Sequence, residues 1–459
     1  MYKIDFNKPI HVHFIGIGGI SMSGLAEILI GENFVISGSD NQESEMTRHI
    51  ETLGGQICIG QSSKNITDDI DLVVYTAAIH KDNEEFVAVI NKAIPMITRA
   101  ELLGQIMSNY KYSVAVSGTH GKTTTTSMVS HIFLAAGVDP TISVGGMLDA
   151  IEGNIRVGKS EYFVTEACEY TNSYHAFNPY ISIILNVDED HLDFFSGIDE
   201  IVESFKTFAN KLPKDGLLVI NGDMEYTDRV VDGLEARIIT FGLGETNQYR
   251  GLNIECDSDG HMSYDLYISG EFVERIVLNV GGNHNVVNSL SAIAVADELG
   301  LAREDIARGL KYFGGAHRRF EHKGKLGEVM VVDDYAHHPT EIKATLATAS
   351  GTTHNEIWCV FQPHTYTRTK ALLDDFADAL HTCDHVILTD IYAAREKNTG
   401  EIHSKDLLKK LQEYGTEACY FSSFDEIENY LLVNCKKNDL LITMGAGDVV
   451  SIGEHLLGE

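Results

Sequence analysis

Short apolar runs that end in glycine or in a polar cluster, each followed by a stretch with apolar positions three and four apart, recur along this chain. Such alternation of strand-type and helix-type periodicity predicts βα units, and hence parallel sheets covered by helices. The first run starts at His11, breaks at Gly16-Ile-Gly18-Gly19 and enters an amphipathic segment ending near Gly31; strands follow at Phe34 to Ser37, Leu72 to Tyr75 and Met96 to Thr98, and the series closes around Tyr110. A second series opens with the apolar run at Val114 and continues with strands near Tyr162 to Glu166 and Ile181 to Asn186. Ile181-Ser-Ile-Ile-Leu is apolar at nearly every position, the mark of a strand buried on both faces. A β-rich stretch from about Gly216 to Leu278 leads to a glycine turn and a helix after Gly282. The third series has strands from Val329, Ile357 to Phe361, His385 to Thr389 and Leu440 to Thr443. The pattern predicts an α/β protein of three domains, residues 1–110, 111–316 and 317–459.

Composition sharpens this picture. A chain of 459 residues exceeds what one ordinary core organises, which agrees with three domains. No apolar run is long enough to cross a membrane, no apolar signal core precedes the first strand, and seven cysteines at scattered spacings give neither a disulfide nor a metal framework. The expectation is a cytoplasmic protein with reduced thiols and no membrane insertion. A formal charge of −32 argues against nucleic acid as a partner, so any phosphate must be gripped locally.

The strongest local grip is Gly118-Thr119-His120-Gly121-Lys122-Thr123-Thr124, where a strand breaks into a turn and enters a helix. Backbone N–H groups at such a turn point at a polyphosphate, Lys122 supplies a point charge, and Thr123 offers a hydroxyl to Mg²⁺. The usual phosphate loop has its first glycine where this chain has Val116, so this is a shortened variant. Ligands of open α/β sheets sit past the carboxyl ends of strands. Those positions carry Glu166, Glu169, Asn186, Asp188, Asp190, His191 and Asp193, a set suited to Mg²⁺ or Mn²⁺ held by few protein groups. Asn285 and Asn288 lie one helical turn apart and either face a base or cap the helix. At the first glycine turn Ser21 stands where a dinucleotide fingerprint has its third glycine, and Asp40 is either a ribose contact or a turn residue. In the third series the strand ends carry Asp334, Tyr335, His337, His338 and Glu341, then His364 and Arg368, then Arg395, then Gly445-Ala-Gly447-Asp448.

Taken together, Gly16-Ile-Gly-Gly-Ile-Ser-Met-Ser-Gly24, Gly118-Thr-His-Gly-Lys-Thr123, Asp190-His191-Leu-Asp193, His284-Asn285-Val-Val-Asn288, Asp333-Asp-Tyr-Ala-His-His-Pro-Thr-Glu341 and Gly445-Ala-Gly-Asp448 resemble the Mur ligases of bacterial cell-wall synthesis over nearly the whole chain. The resemblance implies a Rossmann-like N-terminal domain for a UDP-sugar, a central P-loop ATPase-type domain with a mixed sheet, and a Rossmann-like C-terminal domain that closes over the nucleotide. It implies ATP contacts at Gly118, Thr119, His120, Gly121, Lys122, Thr123, Thr124, Asn285, Asn288, Arg319 and Asp334. Mg²⁺ (or Mn²⁺) falls to Thr123, Glu166 and His191, and the UDP-sugar to Gly16, Gly18, Gly19, Ser21, Asp40 and His191. An amino-acid pocket falls to Tyr335, His364 and Arg368, with Lys122, His337, His364 and Arg368 as the catalytic set. The implied substrates are UDP-N-acetylmuramate and L-alanine, joined through an acyl phosphate by a monomer or weak homodimer; the alternative is a sister ligase adding a peptide or another amino acid. A nucleotide-binding regulator without chemistry is a further alternative, against which the intact Lys122, Glu166, His191 and Asp334 stand. Cys168 and Thr365 depart from the family pattern, the first altering charge around the metal, the second removing one possible carboxylate clamp. Lys206 is expected to be an unmodified, solvated helix residue.

Overall fold

The computed structural model describes residues 3–76, 78–258 and 260–458. Three sheets follow one another along the chain. The first contains β1 (His11–Ile15), β2 (Val35–Asp40), β3 (Gln56–Ile59), β4 (Leu72–Tyr75) and β5 (Met96–Thr98), all parallel, in the order β3-β2-β1-β4-β5. The order reverses at β1, and the glycine turn Gly16 to Gly19 lies at that reversal, where sheets of this kind bind ligands.

The second sheet joins β6 (Tyr112–Ser117), β7 (Thr141–Leu148), β8 (Gly153–Arg156), β9 (Tyr162–Glu166), β10 (Ile181–Ile184), β11 (Leu217–Asn221), β12 (Arg237–Gly242), β13 (Tyr249–Cys256), β14 (Met262–Ile268) and β15 (Glu271–Val277). Its order is β15-β14-β13-β12-β11-β10-β6-β9-β7-β8, parallel at its centre and antiparallel at both ends. The third sheet holds β16 (Glu321–Leu326), β17 (Val329–Asp334), β18 (Ile357–Phe361), β19 (His385–Leu388), β20 (Glu417–Tyr420) and β21 (Leu440–Met444), ordered β16-β17-β21-β18-β19-β20, with only β16 antiparallel.

Two departures from the sequence reading have clear causes. β2 runs on to Asp40 because Ser37 to Asp40 pair with β3, an edge strand whose mostly exposed side chains give it no apolar pattern. The β7–β8 hairpin is interrupted by Gly145 and Gly146 and so reads as loop, although Glu166 Oε1 accepts from the Gly145 N–H at 2.6 Å and needs that bare backbone beside it. Lys206, on the helix Ile198–Ala209, pairs with Asp232 at 2.8 Å as a surface residue.

The two seams between sheets differ in kind. Val12, Phe14, Leu25, Tyr110, Phe163 and Phe205 belong to one continuous apolar core spanning the first and second sheets, with Tyr110 stacked on Phe163 at 5.1 Å. Gly104 lies so close to Ala176 that a Cβ there would stand 1.9 Å from its carbonyl oxygen. Each large apolar side chain so buried is worth roughly 1.5–3 kcal/mol, which makes this seam permanent. The cores of the third sheet are separate, and its contacts with the second sheet are polar.

Candidate active site

β6 delivers the phosphate loop. Gly121 caps the helix Lys122–Ala135 at φ +83, and a Cβ there would stand 2.9 Å from Asn288 Oδ1, so both conformation and space require glycine. The Asn186 side chain clamps the loop by accepting from the His120 N–H at 2.7 Å and donating to the His120 carbonyl at 3.0 Å. Lys122 Nζ donates to the Gly118 carbonyl at 2.5 Å and meets Glu169 Oε2 at 3.0 Å. Burial disfavours the ammonium, but Glu169 and its neighbours outweigh that and raise the Lys122 pKa. Glu169, 2% exposed, also faces His191 Nε2 at 3.6 Å.

Thr123 packs its methyl beside Gly146 and Glu166 sits beside Gly145, so the two residues stand at one edge of the loop, with the His191 imidazole across Glu169. Two oxygens and a neutral nitrogen next to a phosphate loop suit a divalent cation that takes its other ligands from phosphate and water. A second cluster, His120, Asp188 and His338, has ligand-type atoms within 4.8 Å of one another, but neither of its imidazoles has a free lone pair. His338 Nδ1 accepts from the Thr340 N–H and its Nε2 lies 3.1 Å from the Glu189 carbonyl, while His120 is cationic.

That second cluster belongs to the polar seam. Residues 188–193, beyond β10, meet the third sheet's strand ends one after another: Asp188 accepts from Thr340 Oγ1 at 2.7 Å, the Glu189 carbonyl faces His338, Asp190 pairs with Arg368 at 2.8 Å, and Asp193 pairs with Arg395 at 3.1 Å. His120 bridges the seam, with Nδ1 3.1 Å from Glu341 Oε1 and Nε2 3.4 Å from Asp188 Oδ2. Burial opposes its charge, yet the two carboxylates lift its pKa to about 9. His337 and His338, also facing Glu341 and Asp188, are held below the ordinary value by burial and stay neutral, and Arg319 is the other nearby cation. A pKa raised above 6.5 means that the contribution of His120 is complete below that pH and is lost as pH rises through about 9. The thermal midpoint of the wild type should therefore fall relative to that of His120→Gln between pH 6.5 and 9.5; a constant difference across that range would refute the bridge.

His120, Gly121, Thr124, Asn285, Asn288, Arg319 and Asp334 all line one cavity of about 330 Å³ between the second and third sheets. The helix carrying Asn285 and Asn288 has Gly282 as its N-cap and no side-chain cap, so neither amide serves as one. Asn285 donates to the Gly281 carbonyl at 2.8 Å and Asn288 rests against the phosphate loop. Asp334 accepts from the Phe320 and Ala336 N–H groups at 2.8 and 2.7 Å, and burial raises its pKa to about 6 against the pull of Arg319.

A smaller pocket of about 120 Å³ is lined by Asp190, His191, Tyr335, His337, His364, Arg368 and Arg395. The fork of Arg368 is not open to a ligand carboxylate as expected, because its Nε and Nη2 both donate to Asp190 Oδ1, at 3.1 and 2.8 Å. Its Nη1 lies 3.1 Å from His364 Nδ1, which must accept, leaving His364 with its proton on Nε2. His337 Nδ1 instead sits 3.0 Å from the Tyr335 carbonyl and 3.3 Å from Glu341, so its proton is on Nδ1 and its Nε2 lone pair has no partner among the described residues. Burial holds both imidazoles at about 4 and hence neutral. The hydrogen bonds thus rank two histidines that sequence left equal.

The first glycine turn is held together by its own backbone. The Gly16 and Ile17 N–H groups both donate to the Ser39 carbonyl, Gly18 N–H donates to Asp40 Oδ2 at 2.8 Å, and Gly19 N–H to the Gly16 carbonyl at 3.3 Å. Gly16, Gly18 and Gly19 thus spend their donors inside the turn, and Asp40 is its brace. Ser21, just beyond, accepts from Arg99 Nη1 at 2.9 Å. Arg99 sits in no glycine pattern; its one sequence signal is a cation directly past the carboxyl end of β5 in an acidic chain.

Family models match in three consecutive pieces: the Mur ligase family, catalytic domain, over residues 11–111, the Mur ligase middle domain over residues 116–296, and the Mur ligase, glutamate ligase domain, over residues 318–447. A protein of Agathobacter rectalis described as UDP-N-acetylmuramate--L-alanine ligase is 57% identical over 457 residues, covering 100% of both chains. One of the same description from Clostridium perfringens is 50% identical over 453 residues, covering 99% of this chain and 98% of the other. The solved UDP-N-acetylmuramate-alanine ligase MurC of Thermotoga maritima matches with a TM-score of 0.79 at 30% identity, over 98% of each chain. Phosphate loop, three-sheet order and full-length likeness lead to one placement: this chain belongs to the Mur ligase family.

Proposed function

We propose that this protein is a cytoplasmic ATP-dependent ligase that joins L-alanine to the lactyl carboxylate of UDP-N-acetylmuramate, releasing ADP and phosphate, in the synthesis of peptidoglycan precursors. What carries the reading is the adjacency of two cavities across residues 188–193, one beside the phosphate loop and one too small for a long peptide. The full-length relatives described as UDP-N-acetylmuramate--L-alanine ligases support it. Residues 1–110 would take the UDP-sugar, 111–316 the ATP phosphates and adenine, and 317–459 the ribose and the amino acid.

The lactyl carboxylate oxygen attacks the γ-phosphorus, ADP departs, and an acyl phosphate results. The amine nitrogen of L-alanine then attacks the acyl carbon, and phosphate leaves from the tetrahedral intermediate. Lys122 and the loop N–H groups offset charge on the phosphoryl oxygens as it develops. Thr123, Glu166 and His191 would hold Mg²⁺ (or Mn²⁺), which supplies charge neutralisation at the phosphates. His337 Nε2 accepts the proton that the amine loses, because His364 Nδ1 is already engaged by Arg368. Arg395, exposed at the mouth of the smaller pocket, paired with Asp193 and lying over the Tyr170 ring, is the cation best placed to meet the amino-acid carboxylate. An acyl phosphate hydrolyses readily, so the seam must close before it forms.

With ATP, Mg²⁺ and UDP-N-acetylmuramate present, ADP should appear at full rate only when L-alanine or a similarly small L-amino acid is added. If a tripeptide outcompetes L-alanine, the protein is a sister ligase instead.

A further inference from the structure

Left-handed backbone gathers around the mouth of the smaller pocket. Fourteen non-glycine residues sit at positive φ among the described residues, and five of them are here: Thr171 at +55, Asn172 at +56, His191 at +54, Thr365 at +64 and Ala394 at +50. That conformation is unfavourable for a residue with a Cβ, most of all for a β-branched threonine. It persists where the surroundings impose it, commonly at functional sites. The restraints on Thr171 and Asn172 are plain. The Asn172 N–H donates to the Glu169 carbonyl at 2.9 Å, the Asn172 side-chain oxygen accepts from Ser204, and Ser173 Oγ donates to the Cys168 carbonyl at 2.9 Å. This turn keeps Glu169 on Lys122 and carries the next side chain, Tyr170, to the pocket mouth.

There the Tyr170 ring lies 4.7 Å from the His191 imidazole and 4.4 Å from the Arg395 guanidinium. Its hydroxyl donates to Asp193 Oδ2 at 2.9 Å, the same oxygen that takes Arg395 Nη2 at 3.1 Å. Burial and that carboxylate raise the Tyr170 pKa, so the phenol keeps the proton it donates. Phenol and carboxylate from the second sheet and guanidinium from the third thus close a triangle across the polar seam. The backbone under Arg395 is fixed independently. The Tyr392 N–H donates to the Pro363 carbonyl at 2.8 Å, the Tyr392 carbonyl accepts from Thr365 at 2.9 Å, and Glu396 Oε2 accepts from the Tyr366 N–H at 2.6 Å. Those bonds leave loose the Arg395 side chain itself, which is 59% exposed, and an exposed ion pair alone holds so long a side chain weakly. An aromatic face under the guanidinium supplies a second restraint. The fork of Arg368 is engaged by Asp190 and His364, which leaves Arg395 as the other guanidinium of the pocket. Resting on the reading that a small amino acid is a substrate, we propose that Tyr170 is a positioning residue for that substrate: it seats Arg395 over the smaller pocket, so that the pocket gains this cation only when the third sheet is docked on the second.

The test is steady-state kinetics of the wild type, Tyr170→Phe, Tyr170→Leu, Arg395→Ala and the double variant Tyr170→Leu with Arg395→Ala, with the dissociation constant for ATP as a control for folding. Tyr170→Leu fills the space without an aromatic face, and should raise the KM for L-alanine about tenfold while kcat at saturating alanine changes far less and ATP affinity not at all. Tyr170→Phe keeps the face and loses only the hydroxyl, so it should recover most of the loss. Once Arg395 is alanine, Tyr170→Leu should add nothing further. Equal alanine KM values in Tyr170→Phe and Tyr170→Leu overturn the proposal, whether raised or not. So does a full additional rise in the double variant, which would mean that Tyr170 acts without Arg395. Loss of ATP binding in both single Tyr170 variants also overturns it, since Tyr170 would then be a residue of the fold. A wild type in which L-alanine supports no ADP formation would instead overturn the substrate reading itself.

Discussion

Lys122→Ala should lower ADP formation by well over a hundredfold while leaving the fold and UDP-sugar binding nearly intact. One fixed donor to a developing phosphoryl charge is worth about 3 kcal/mol or more. Here the substitution also strands Glu169, a carboxylate 2% exposed that loses its ion pair and then faces the incoming polyphosphate. The second effect can be separated from the first. Lys122→Ala with Glu169→Gln should regain part of the ATP affinity without regaining turnover, because the repelling charge is gone but the phosphoryl oxygens still lack their cation. Near-normal turnover in the single variant would remove Lys122 from the chemistry, and ATP affinity no better in the double variant would deny the repulsion.

The next largest effect is expected at Arg368 and Asp190, whose side chains are 10% and 8% exposed. Removing one partner of a buried ion pair typically costs about 3–5 kcal/mol, because the other charge is left without compensation. Arg368→Ala should accordingly reduce kcat/KM for L-alanine by about two to three orders of magnitude, and Asp190→Asn should reproduce most of that loss. In a double-mutant cycle the two changes should be strongly non-additive, with a coupling of roughly 1.5 kcal/mol or more. Arg368→Lys keeps the charge but cannot hold Asp190 and His364 together, so KM for alanine should rise far more than KM for ATP. An inactive Arg368→Ala beside a fully active Asp190→Asn would mean that Arg368 meets the substrate directly.

What the sequence made legible was local. β6 and its phosphate loop, the buried run at Ile181 and the strand ends at Asp334 and His364 each carry their signal within about ten residues, and each leads into the site. What it concealed was pairing between distant segments. Asn186 holds the phosphate loop from 66 residues away, Arg368 meets Asp190 across 178, and Ser21 meets Arg99 across 78. No periodicity records such contacts, so only the family resemblance spoke for Arg368 in an amino-acid pocket and for Gly16, Gly18 and Gly19 at a UDP-sugar. The ranking of His337 over His364 was hidden for the same reason, since it depends on which ring nitrogen each neighbour occupies.

The contrast between the apolar seam and the polar seam has a calorimetric consequence. Heat capacity follows apolar surface withdrawn from water far more than it follows ion pairs and hydrogen bonds. A swing of the third sheet onto the second would exchange hydrated carboxylates and imidazoles for paired ones, with almost no change in heat capacity and an equilibrium sensitive to salt. Parting the first sheet from the second would expose Tyr110, Phe163 and their neighbours and carry the large positive heat-capacity change of partial unfolding. One joint would thus behave thermodynamically as a hinge and the other as the interior of a single folded body.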